Sequence, residues 1–203
     1  MYYLVDMYND KTNFIDGIDS DTCQKILNSS TIISETLEFY YLGKCVSDSF
    51  DTLIQWSYSA NPSSNYIMRN LHTAERLVRG FLFELRTCLD HMETKIKQDY
   101  GKTSEFLKVF EDSTHATYNA HPEYAFTYHL RNVSQHCQNI VHGFNSPTGI
   151  GISCNVQKLL NEYDKWKPVD KDYMINSGEN VDLLKTFSVA FQAFNEALIP
   201  VIR

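Results

Sequence analysis

Leu71, Ala74, Val78, Phe81, Leu85, Leu89, Met92 and Ile96 recur at spacings of three and four. That period predicts one long helix, from Ser63 or Ser64 to Tyr100, with its apolar stripe toward a core and a stop at Gly101. The same rhythm returns in Phe106, Val109 and Phe110 of a helix over 102–119 capped by Thr103 or Ser104. It returns again behind Pro122 in Phe126, Leu130, Val133 and Cys137, and in Leu159, Leu160 and Tyr163 of a helix over 156–165. A last helix starts at an Asn180 cap and carries Val181, Leu184, Phe187, Phe191, Phe194 and Leu198 until Pro200.

The ends of this pattern are less regular. Residues 1 to 20 mix aromatic and acidic positions without a helical period, so an extended start with a turn at Asp16–Gly17 is expected. A helix over 20–27 capped by Ser20 follows, then a second over 32–56 interrupted by Gly43 and β-branched residues. SANPSSN, residues 59 to 65, reads as a connector, which divides the chain into an N-terminal appendage (1–58) and a bundle (59–203). Gly143, Pro147, Gly149 and Gly151 break the pattern after His136 and call for a loop or small hairpin. The expected fold class is all-α, a helical bundle with a mixed appendage.

At 203 residues and 43% hydrophobic content, the chain is long enough to bury a core. It has no apolar run of membrane-spanning length and no signal-peptide pattern at its start, so a soluble, cytoplasmic protein without membrane contact is expected. The five cysteines, Cys23, Cys45, Cys88, Cys137 and Cys154, are scattered and odd in number, as befits reduced thiols. The net charge of −7 argues against broad, sequence-independent binding to nucleic acid, so any RNA contact must be local.

Chemistry concentrates in HPEYAFTYHLRNVSQHC, residues 121 to 137, where Arg131, Asn132 and His136 form R-N-x-x-x-H. A histidine exchanges protons near neutrality, an arginine fork matches phosphate oxygens, and an asparagine orients either. Together they suffice for RNA cleavage without metal or cofactor. On a helix Arg131 and His136 project about 140° apart, so one helix makes a poor complete site and a second copy across a dimer interface would complete it.

LRNVSQH resembles the R-x(4-6)-H signature of HEPN domains, all-helical modules of RNA-targeting toxins and antiviral defence. The resemblance implies a symmetric homodimer with a ribonuclease site at its interface, Arg131 and His136 catalytic and Asn132 supporting. It also implies RNA as substrate and an antitoxin or regulatory protein as partner. RTCLDH, from Arg86 to His91, matches the loose signature without the asparagine.

Arg69, His72, Arg76, Arg79, Arg86 and Asp90 fall within an arc of about 100° opposite the apolar stripe of the long helix. They form either a solvated face or the positive wall of an RNA groove, with Arg76, Arg79 and Arg86 as substrate-binding candidates. Asp90 and His129 are supporting candidates. The histidines from His115 to His142 lack metal-ligand spacing, so no metal site is expected. Two non-catalytic readings stand beside the nuclease: a helical dimerisation or interaction module, and a nucleotide-binding sensor of the same fold.

Overall fold

The computed structural model describes residues 2–8, 11–60, 67–136, 139–144 and 151–202. The chain divides into two compact units, Met1–Gly43 and Lys44–Arg203. The first unit opens with an antiparallel hairpin, β1 (Tyr2–Tyr8) on β2 (Lys11–Ile18), paired from Tyr8–Lys11 to Tyr2–Ile18 with an irregularity between Leu4 and Val5. The extended start is therefore a paired one, and Gly17 lies opposite Tyr3 within a strand, not in a turn. Pro147, Gly149 and Cys137 lie outside the described residues.

Helix α1 (Ser20–Ser59) replaces the two helices expected at 20–27 and 32–56. Its cap is Asp19, which accepts from the Thr22 amide and hydroxyl at 2.8 Å each, rather than Ser20. Within the helix, the Thr31 and Thr36 hydroxyls donate back to the carbonyls of Leu27 and Ile32. The later part of α1 buries Val46, Leu53 and Ser57. For that reason the division falls at Gly43/Lys44 and not at the expected 58/59.

The second unit is a helical bundle built from α2 (Ile67–Asp99), α3 (Glu105–Ala120), α4 (Pro122–His136) and α7 (Leu183–Ile202). The predicted stripe of α2 is buried from Ala74 to Ile96, and Gly101 follows at φ 95°, the left-handed region that lets the chain turn away. Ser104 caps α3 through the Leu107 amide. Helix α7 packs against α3 and α4, and Phe81 meets Phe187 at 5.0 Å between ring centroids while Phe50 stacks on Phe191 at 4.7 Å. Asp182 accepts from the Lys185 amide and so caps α7 in place of Asn180. Pro200 lies inside the last turn of that helix rather than ending it.

The expected hairpin after the motif helix is part of a three-stranded antiparallel sheet, β3 (Gly143–Phe144), β4 (Ile152–Asn155) and β5 (Asn180–Asp182). Between β4 and β5 run α5 (Val156–Glu162) and α6 (Pro168–Asn176), and α6 packs on α4. Trp166, just before α6, stacks on Phe126 of α4 at 5.6 Å and donates its indole N–H to the Leu159 carbonyl. Among the described residues, no helix is long and apolar enough to cross a membrane.

Candidate functional site

Helix α4 carries the motif. Proline at its first position costs no backbone hydrogen bond there, and Tyr124, Ala125, Phe126, Leu130 and Val133 fix its rotation by turning into the core. That rotation leaves Arg131 and Asn132 half-buried and His136 exposed in the last turn. Arg131 Nη1 donates to Gln135 Oε1 at 2.7 Å, while its Nε is buried with no hydrogen-bond partner among the described residues. Arg131 thus keeps one buried, unpartnered donor, and His136 faces solvent about 140° round the same helix.

That helix end is fastened from α2. Arg79 Nη1 donates to the Ser134 carbonyl, one of those a helix terminus leaves unpaired, and Arg79 Nε donates to Glu75 Oε1 at 2.7 Å. The Glu75 carboxylate in turn accepts the amides of Ile140 at 2.9 Å and Val141 at 2.8 Å, where the chain re-enters the core. Glu75 and Arg79 therefore brace the motif from both sides.

Of the three substrate-binding candidates, two have internal partners. Arg79 serves the brace. Arg86 forks onto Asp90, with Nε–Oδ2 at 3.0 Å and Nη2–Oδ1 at 2.8 Å, and its guanidinium lies 4.4 Å over the Tyr128 ring. Asp90, a supporting candidate, is occupied by that contact. Arg76 is exposed and has no ion-pair partner among the described residues, so it alone of the three offers an uncommitted guanidinium.

His129 is tied to a residue that the sequence did not single out. Its Nδ1 donates to Asp170 Oδ2 at 2.7 Å, and the Tyr118 hydroxyl stands 3.4 Å from the same nitrogen. Asp170 is fully buried at the start of α6, where Oδ2 also accepts the Lys167 amide at 3.0 Å. Those bonds satisfy Oδ2 and join α4 to α6, while Oδ1 is buried with no hydrogen-bond partner among the described residues. The signal was KPVD: proline at the first helical position with an acid two residues later marks a helix start.

A cavity of about 460 Å³ opens between α2, α3 and α4. Arg86 and Asp90 line it from α2, Glu111 and Tyr118 from α3, and Tyr124 and Tyr128 from α4. Burial, partly offset by nearby Arg86, pushes the Tyr124 hydroxyl well above the usual tyrosine range, and burial likewise raises Tyr118. Both hydroxyls stay protonated at neutral pH.

Among the described residues, no three His, Cys, Asp or Glu side chains come together as metal ligands. His142 instead accepts the Asn155 amide through Nδ1 at 3.0 Å, and burial followed by nearby Lys158 disfavours its charged form. No family model, curated protein or solved structure matches the chain.

Proposed function

We propose that the chain is a metal-independent endoribonuclease of the HEPN type, a toxin or antiviral-defence effector restrained by an antitoxin or regulatory protein. The observation that carries this reading is that one helix end, braced by Glu75 and Arg79, carries both a half-buried guanidinium with one donor unspent and a solvent-facing imidazole. In this mechanism His136 removes the proton of the RNA 2′-hydroxyl, whose oxygen attacks the adjacent phosphorus. Arg131 bonds the non-bridging oxygens as charge builds there, and Asn132 orients the phosphate or the imidazole. His136 then returns that proton to the departing 5′-oxygen, and a 2′,3′-cyclic phosphate remains. Because Arg131 and His136 diverge on their own helix, each works with the complementary residue of a second copy in a homodimer.

Purified protein should cleave RNA in EDTA, and His136→Ala and Arg131→Ala should each lose that cleavage. Equal cleavage by wild type and His136→Ala rules the mechanism out.

A second reading, an assembly module, draws on α1. Ile26, Ile33, Leu37 and Tyr40 share one edge of that helix, each between 44% and 59% exposed. A row of this kind at three-four spacing suits an antiparallel partner helix from a second copy. Ile33→Asp should then lower the oligomeric state in light scattering; an unchanged mass removes this reading.

A further inference from the structure

We propose that the cavity between α2, α3 and α4 binds a small organic amine in its ammonium form, an apolar body carrying one positive charge. Neither Arg131 nor His136 lines this cavity. The site therefore goes beyond the ribonuclease reading, and its test needs no RNA.

Size and lining set the kind of occupant. A volume of about 460 Å³ lies in the range of small-molecule sites. Phe110 and Tyr118 from α3, with Tyr124 and Tyr128 from α4, supply aromatic surface that draws an apolar body out of water. Aromatic faces also attract cations, and Tyr128 already does so, since the Arg86 guanidinium lies 4.4 Å over its ring.

The balance of charge selects a cation. Arg86 lines the cavity together with three carboxylates, Asp90, Glu93 and Glu111. Arg86 is forked onto Asp90, and Glu93 is bonded to Lys97. Glu111 is left over. Its carboxylate forms no hydrogen bond or ion pair among the described residues, and its charge is felt at Lys97 only after the hydrogen bond and the charge of Glu93. His115, which also lines the cavity, is exposed on α3.

A further negative group stands beyond Tyr118. The Tyr118 hydroxyl lies 3.4 Å from His129 Nδ1, which is bonded to the fully buried Asp170, and Asp170 Oδ1 has no partner among the described residues. Burial first, and then the Asp170 charge, raise the Tyr118 hydroxyl above the usual tyrosine range. A cleft with low-dielectric walls focuses such a surplus, so a cation is drawn in and an anion is turned away. An ammonium group brings N–H donors that the Glu111 carboxylate and the tyrosine hydroxyls of the lining can accept.

Three molecules of closely similar shape and different charge test this on the intact protein by calorimetric titration: phenethylamine, phenethyl alcohol and hydrocinnamate. Phenethylamine should bind about tenfold more tightly than the neutral alcohol, the effect of one charge-assisted contact, and hydrocinnamate should bind most weakly. Glu111→Gln should remove the advantage of the amine and leave the affinity for the alcohol unchanged. Asp112→Asn makes the same change of charge one residue further on, at an exposed position outside the cavity lining, and should leave the advantage intact. Amide shifts in NMR should move around Leu89, Thr114 and Tyr128, which line the cavity from its three helices. No binding of phenethylamine at millimolar concentration, equal binding of amine and alcohol, or tightest binding of hydrocinnamate overturns the proposal. An equal effect of Glu111→Gln and Asp112→Asn overturns it as well, because the amine would then answer to the overall acidity of the protein.

Discussion

Removing the Glu75 carboxylate should loosen the motif without touching it. Glu75 is 14% exposed and accepts two amides of a segment whose Ile140 and Val141 side chains are buried, while also holding Arg79 against the end of α4. Glu75→Ala leaves both amides without a protein acceptor, at about 1–3 kcal/mol each, and strips Arg79 of its counter-charge. A total loss of about 3–5 kcal/mol follows, a large part of the stability of a typical domain. Glu75→Gln keeps an oxygen for the amides and should lose about 1–2 kcal/mol. Urea unfolding reads this directly as a shift in midpoint at constant slope. RNA cleavage should fall in the same order, alanine below glutamine below wild type, although Arg131 and His136 are intact. A Glu75→Ala protein that loses less than about 1 kcal/mol would refute the brace.

His136→Ala and Arg131→Ala should instead abolish cleavage while His136→Ala shifts unfolding by no more than about 0.5 kcal/mol, since that side chain is exposed; circular dichroism melts check it. Asp170→Ala should cost about 3 kcal/mol by taking the acceptor from both His129 and the Lys167 amide, with Asp170→Asn milder, as read by denaturant titration. Burial pushes the thiols of Cys88 and Cys154 up to about 12, so mass spectrometry after iodoacetamide at pH 8 should find exposed Cys45 alkylated and those two spared until the protein unfolds. The same raised values mean that the unfolded chain releases these protons first. The contribution of these two thiols is therefore level below about pH 8 and declines as pH rises beyond it.

Much of this architecture was legible because local and tertiary signals agree. The α2 stripe is buried from Ala74 to Ile96, Gly101 stops the helix, and Ser104 caps the next. The motif helix begins at Pro122 as its sequence implies. Along α1 the signal blurs, since Leu27, Ile32 and Tyr41 lie off the edge that Ile26, Ile33, Leu37 and Tyr40 share, and the sequence reads as two helices where there is one. Helix α6 was missed because its buried residues include Asp170, which a hydrophobic count cannot see. At the site, Arg131, Asn132 and His136 stood out by residue type. The brace did not. Glu75 and Arg79 are visible as an i, i+4 pair, but their hold on Ser134, Ile140 and Val141 spans more than fifty residues of chain. Arg86 reads as a phosphate ligand although its ion-pair partner Asp90 stands at i+4, and its second partner Tyr128, on another helix, is invisible to local spacing.

The central claim is that an arginine of one copy and a histidine of another make one site, and complementation between dead variants tests it most directly. Arg131→Ala and His136→Ala proteins, inactive alone, are unfolded together, refolded and assayed on RNA in EDTA. Random two-fold pairing makes half the dimers mixed, each with one whole site of two, so activity should return to about a quarter of wild type. A mixture as inactive as either variant would contradict the account.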